Sequence, residues 1–168
     1  ASKVIPTYKH FPGLGRVKDN TDTSAGVVDS ATSRLPDAAV GVFANAIAAG
    51  AQVIMVSSAT YSLIDSSAPA VFSSKIVTDM LRTEMGFSGV VITDDVSAAV
   101  QVKDVGAGDR AVRAIRAGCD LVLASADPTV AADMVKALIA TAQSDPAFAA
   151  RVDESATRVL NLKKSLQS

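Results

Sequence analysis

Gly86-Phe87-Ser88-Gly89-Val90-Val91-Ile92-Thr93-Asp94-Asp95-Val96-Ser97 reads as a helix stop, a tight turn, a β-branched apolar strand and then two adjacent carboxylates. A short strand that is apolar on both faces is what a parallel sheet covered by helices requires. Neighbouring residues on an extended chain point to opposite sides. One of Asp94 and Asp95 is therefore expected to face a cleft mouth, and the other to turn toward the following segment and accept structural hydrogen bonds. Both could instead cap the helix that follows.

Working outward, the run Gly89 to Thr93 has three counterparts: Lys3 to Tyr8, Gln52 to Val56 and Asp120 to Ala124, each ending in polar or charged residues. Helical periodicity fills the intervals. Pro36-Asp37 opens a helix with Val40, Phe43 and Ile47 on one face, stopped by Gly50; Ser73-Ser74 opens another carrying Ile76, Val77, Met80 and Leu81, stopped by Gly86. A third, about Asp109 to Ala117, is expected to turn Val112 and Ile115 inward and Arg110, Arg113 and Arg116 outward as a solvated stripe, with Gly118 as its stop. Asp127-Pro128 and Asp145-Pro146 read as two further starts, the second leading into a closing helix through Val152, Val159, Leu160 and Leu162. Four parallel strands with crossover helices define an α/β chain. They fit either a complete doubly wound sheet or about half of a (β/α)₈ barrel, and periodicity does not separate the two.

The chain has 168 residues, of which 49% are hydrophobic, enough for one domain spanning residues 1–168 with a buried core. Its apolar content is mostly Ala and Val with no Trp, which suits close helix-on-sheet packing. Sixteen basic and 17 acidic side chains give a net charge of -1 with no long block of one sign, so neither nucleic acid nor an anionic membrane is an expected partner. No apolar run approaches the roughly 20 residues of a membrane span. The single cysteine, Cys119, sits among apolar neighbours and reads as a buried inert thiol.

Lys9-His10-Phe11-Pro12-Gly13-Leu14-Gly15 sets a cation and the only histidine at a strand end, before a turn rich in Pro and Gly. Such a rim can hydrogen-bond polyols or anions. Its Gly-x-Gly piece is a weak phosphate-loop signal, because no helix opens directly behind it. A carboxylate fixed at the same rim can serve as base, metal ligand or nucleophile. Asp94 and Asp95 lack the accompanying His or Cys cluster of a transition-metal site and the gathered oxygens of a hard-metal site, so no metal or other cofactor is expected.

Together, Lys9-His10-Phe11-Pro12-Gly13-x-Gly15, Val53-Ile54-Met55-Val56-Ser57-Ser58, the stretch from Gly86 to Ser97 and Ala117-Gly118-Cys119-Asp120-Leu121-Val122-Leu123 resemble glycoside hydrolase family 3, its bacterial β-N-acetylhexosaminidase branch in particular. The resemblance implies a (β/α)₈-type barrel and a retaining mechanism with Asp94 as the nucleophile that forms a glycosyl-enzyme intermediate. It implies that Lys9 and His10 hold the hydroxyls of a carbohydrate substrate, β-linked N-acetylglucosamine or a β-glucoside, and it gives Ser58 a minor substrate-binding role at a rim position where relatives often carry His. The branch is found both in the bacterial cytoplasm and at the cell envelope, so the compartment stays open.

The chain departs from that pattern in two ways. The branch usually reads Lys-His-Phe-Pro-Gly-His-Gly, followed by an Asp-Ser-His triplet on a mobile loop that supplies the acid/base. Here the second histidine is Leu14 and the triplet falls on Asn20-Thr21-Asp22, which makes Asp22 the candidate acid/base and Asp19 a weaker one. A family barrel also has strands ahead of the Lys-His motif, bearing an Asp and an Arg that grip the sugar. The chain is accordingly expected to be the C-terminal part of the catalytic barrel, inactive alone and completed by the N-terminal half from the same or a second chain. The alternative is a non-catalytic glycan-binding relative that has lost the dyad.

Overall fold

The computed structural model describes residues 4–166. Among the described residues six strands form, β1 (Thr7–Phe11), β2 (Val28–Asp29), β3 (Val53–Val56), β4 (Thr60–Tyr61), β5 (Val90–Asp95) and β6 (Leu121–Leu123). The helices are α1 (Ala38–Ala48), a π-helix (Lys75–Glu84), α2 (Ala107–Ala117), α3 (Ala131–Ser144) and α4 (Pro146–Ser165), with short 3₁₀ turns between them.

The main sheet is parallel throughout, in the order β1-β3-β5-β6, and β2 pairs with β4 in a separate two-stranded piece. Along the main sheet the spatial order follows the chain order. A doubly wound sheet reverses direction at a switch point between its halves, and no reversal occurs here. Unreversed right-handed βα succession is instead the geometry of a barrel wall.

Two expectations change. The first strand, expected over Lys3 to Tyr8, runs from Thr7 to Phe11, Lys3 itself lying outside the described residues. Pro6 has no N–H to give to a ladder, so pairing starts after it, with Thr7 opposite Val53. Lys9 and His10 thus belong to the strand. The arginine stripe of α2 is also divided. Arg110 shares the helix face of Ala111, Ala114 and Ile115 and is buried. Its Nη1 donates to the carbonyl oxygens of Val96 and Ser97, the latter at 2.8 Å. Arg113 and Arg116 are exposed as expected.

The core lies between the sheet and its helices. Val40 and Phe43 of α1, Ile76, Val77, Met80 and Leu81 of the π-helix, and Ala111 and Ala114 of α2 are all buried. Phe43 meets Phe11 edge to face at 5.2 Å between ring centres. Gly118 ends α2 at φ 119°, and a Cβ there would lie 2.6 Å from the Thr78 hydroxyl oxygen, so both backbone and packing demand glycine. Asp37 and Asp145 cap α1 and α4 by accepting from N–H groups of their first turns. Cys119 is fully buried, and burial pushes its thiol up to about 12, an inert group as expected.

Candidate active site

At the C-terminal ends of β1 and β5 lies a cleft of about 470 Å³ whose lining includes Lys9, His10, Leu14, Asn20, Asp22 and Asp94. It brings together residues from three separate stretches of sequence. β1 carries the Lys-His pair, β5 carries Asp94, and the loop leaving β1 carries Asn20 and Asp22.

The alternation at the end of β5 divides its two carboxylates. Asp95 is used up by the protein. Its Oδ1 accepts from the Ser97 amide (2.7 Å) and hydroxyl (2.5 Å), and its Oδ2 from the Ser125 amide (2.8 Å) and hydroxyl (2.5 Å) and the Ala126 amide (2.7 Å). Burial alone would raise its pKa, but these donors hold it well below the ordinary carboxylate range. Asp95 therefore ties the ends of β5 and β6 together.

Asp94 is left open. Its Oδ1 accepts from the Asp95 amide at 2.9 Å, and its Oδ2 stands 3.7 Å from His10 Nε2, beyond a hydrogen bond and within electrostatic reach. Burial pushes the Asp94 carboxyl upward, opposed by the Asp95 N–H and by His10 and Lys9. His10 is shifted downward by burial, with Lys9 adding and Asp94 and Asp22 opposing. A lowered imidazole is neutral near pH 7 and presents one donor and one acceptor, the complement of a hydroxyl group.

The rim loops are held from below. Tyr61 donates its hydroxyl to the Gly13 carbonyl at 3.3 Å, and the Ser57 amide donates to the Phe11 carbonyl at 2.9 Å. Gly13, at φ 137°, leaves no room for a side chain, since a Cβ would come within 2.8 Å of the Ala39 Cβ. The Lys-His turn is thus seated on the start of α1.

Asp22 is exposed and lines the cleft, as does Asp19. Asn20 does not act on a histidine here; it builds the turn, its Oδ1 accepting from the Asp22 amide at 2.8 Å and its carbonyl from the Ser24 amide at 2.9 Å. Ser58, expected at the rim, is instead enclosed, with 0% exposure and an Oγ that has no partner among the described residues. The 3₁₀ turn Ala70–Phe72 closes over this segment, Ala70 donating to the Ala59 carbonyl and Val71 to the Ser57 carbonyl. Among the described residues no group of three or more His, Cys, Asp or Glu side chains could hold a metal ion, and no helix is long and apolar enough to cross a membrane.

Parallel strands in barrel succession, with carboxylates, an imidazole and an ammonium gathered at their C-terminal ends, define an α/β protein with a polar cleft at the rim of its sheet. Residues 1–162 match the family described as glycosyl hydrolase family 3 N terminal domain. The chain belongs to glycosyl hydrolase family 3. It is 34% identical to an uncharacterized secreted glycosyl hydrolase of Arthroderma benhamiae over 99% of its own length and 48% of that protein's. A β-hexosaminidase of Psychromonas ingrahamii is 40% identical, the match covering 74% of this chain and 37% of that one. Among solved structures, the β-N-acetylhexosaminidase of Beutenbergia cavernae superposes with a TM-score of 0.92 at 59% identity, covering 94% of this chain and 46% of that one. The chain thus spans less than half the length of these relatives.

Two contacts escape a reading of the sequence. Arg110 reaches the carbonyls behind Asp95, and Gln101 reaches the loop behind Asp22. Neither side chain falls in a motif, and each partner lies on another element.

Proposed function

We propose that this chain carries the nucleophile side of a retaining glycoside hydrolase acting on β-linked N-acetylglucosamine or β-glucoside residues. The observation that carries the reading is the division of labour at the end of β5. Asp95 is saturated with structural donors while Asp94, one residue earlier, is half-buried, faces the cleft and has its outer oxygen beside His10. A carboxylate left open by the protein, with the Asp95 N–H and the Lys9 ammonium opposing the upward push of burial, is suited to attack an anomeric carbon once ionised. Lys9 and His10 would hold the sugar hydroxyls, and contacts that tighten as positive charge develops would lower the barrier. Ser58, being enclosed, is assigned no contact.

Asp22 is the acid/base in this reading. A carboxyl in that role protonates the leaving oxygen in the first step and activates water in the second. The substrate class is supported by the relatives' names, which include β-N-acetylhexosaminidases. The sheet has open edges at β1 and β6, with Tyr8 and Leu121 exposed on them, so further strands from the same polypeptide or another chain would close the barrel and complete the sugar shell. In this reading residues 1–168 are one part of the barrel and are inactive without the rest.

The test is turnover of an aryl β-N-acetylglucosaminide by the full-length protein, with a slow fluorinated analogue to trap the intermediate. The expected result is a glycosyl ester on the peptide containing Asp94, found by mass spectrometry. A label on another carboxylate would overturn the nucleophile assignment. A second reading, glycan binding without catalysis, draws on the replacement of the expected dyad by Asn20 and Asp22. It predicts saturable binding of chitooligosaccharides with no turnover.

A further inference from the structure

We infer that Gln101 is a positioning residue that fixes Asp22 against Asp94, making the acid/base loop a rigid part of the site; the inference rests on the reading of Asp22 as acid/base. Gln101 sits in the 3₁₀ turn Val100–Val102, on the segment leaving β5, and is 9% exposed. Its side-chain amide makes a closed pair with one residue of the distant loop. Oε1 accepts from the Val27 amide at 2.8 Å and Nε2 donates to the Val27 carbonyl at 3.1 Å. This is what a neighbouring strand would do, supplied here by a side chain 74 positions away.

The backbone of the same turn holds the other end of the loop. The Gln101 amide donates to the Thr21 carbonyl and the Val100 amide to the Asp22 carbonyl, each at 3.1 Å. Thr21 is buried at 3% exposure, so the chain is anchored immediately before Asp22 while the Asp22 carboxyl stays exposed. Val27 is held a second time, its carbonyl accepting from the Thr60 amide at 3.0 Å. From Thr21 to Val27 the loop is pinned at both ends by the segment that continues Asp94's own strand. The distance between the two carboxyls is therefore set through a short, hydrogen-bonded path.

That path matters because a retaining glycosidase works with its carboxyl groups roughly 5–5.5 Å apart, and a misplacement of about 1 Å can cost on the order of 100-fold in rate. An amide is the side chain for the task. A carboxylate of the same length could accept from Val27 but would face its carbonyl with a second acceptor.

The experiment compares leaving groups in the full-length protein. Glycosides with a dinitrophenyl leaving group need little protonation, whereas an alkyl glycoside or a chitooligosaccharide needs the acid fully. Gln101→Leu is expected to lower kcat/KM on the poor leaving groups roughly 10-fold to 100-fold more than on the dinitrophenyl glycoside, as Asp22→Ala does to a greater degree. Gln101→Glu is expected to fall between the wild type and Gln101→Leu. Equal losses across leaving groups in Gln101→Leu, with Asp22→Ala still selective, would overturn the positioning role alone. If Asp22→Ala is itself unselective, the acid/base reading fails and the inference falls with it. Should Gln101→Leu not fold, Gln101→Glu, which keeps the acceptor for the Val27 amide and loses the donor to its carbonyl, carries the same selective loss at its intermediate size and the same overturning result.

Discussion

The half-buried Asp94 and the buried Asp120, at opposite ends of the neighbouring strands β5 and β6, are treated in opposite ways. Asp94 ends β5 at the cleft with one protein N–H and a histidine at 3.7 Å. Asp120 precedes β6 at the other end and is saturated. It accepts from Arg82 at 2.5 Å, Arg151 at 2.8 Å, Arg158 at 3.2 Å, the Val91 amide at 2.9 Å and the Ser155 hydroxyl at 3.2 Å. Burial alone would raise Asp120, but the guanidiniums and the Val91 N–H hold it below the usual carboxylate range. Burial and the other two guanidiniums lower Arg82 while Asp120 raises it, so the carboxylate is what lets three cations share one place. The difference teaches where this fold fixes its carboxylates and where it leaves one open. Barrel proteins separate the two by face, and here the separation is visible in the donor sets of two aspartates.

The largest break in that comparison is Asp94→Ala. Activity of the full-length protein on an aryl glycoside should fall on the order of 10⁴-fold, while stability should change by less than about 0.5 kcal/mol. Retention of activity within tenfold would remove Asp94 from the chemistry. Asp120→Ala should do the reverse. Leaving buried guanidiniums without their anion is expected to cost about 3–5 kcal/mol in urea unfolding, with the kcat of the folded fraction near that of the wild type. A loss under about 1 kcal/mol would mean the cluster is decorative.

Acid should sharpen the contrast. Asp120 has a lowered folded-state pKa, so its contribution is fully present above the unfolded value of about 3.8 and is lost as the pH falls through the lower folded value. The stability gap between wild type and Asp120→Asn should therefore close as the pH is taken from 7 toward 2. Asp94 has a raised pKa, so ionising it costs stability above the unfolded value. Asp94→Asn should be slightly more stable than wild type at pH 7 and equal to it in acid. Thermal unfolding of the three proteins along one pH series checks both signs. The smallest effect expected is that of Tyr61→Phe, which removes the hydroxyl under Gly13 and should cost about 0.5–1.5 kcal/mol with at most a modest rise in KM.

Much of this was legible along the chain. The apolar β-branched runs mark the four strands, and the period of two at Asp94-Asp95 implies that the two carboxylates part, though not which of them turns to the cleft. The motif around Lys9 and His10 pointed to the rim, and the structure sets both on the cleft with Asp22 and Asp94. What stayed hidden was non-local. The side-chain donors on Asp120 come from the π-helix and α4, and Gln101 serves a residue far upstream, so no local pattern announces them. β2 and β4 are two residues each, too short to leave a period. Arg110, expected to be solvated, is buried, because a charge at helical spacing gives no sign of the distant carbonyls it satisfies. Ser58, expected at the rim, is enclosed, because a serine after a strand gives no sign of the turn that covers it.

The cluster on Asp120 also bears on how the chain can be shortened. Arg151 and Arg158 both lie on α4, so this helix is tied by two ion pairs to the bottom of the sheet, although it lies at the far end of the described chain. A boundary drawn before Arg151 would strip Asp120 of two of its cations and expose the apolar trough in which Val152, Ala156 and Val159 lie with Ile115 and Leu138. A shortened version for expression or for joining to a partner half should therefore keep α4 through at least Arg158, and trimming that stops there should leave the aspartate's partners intact.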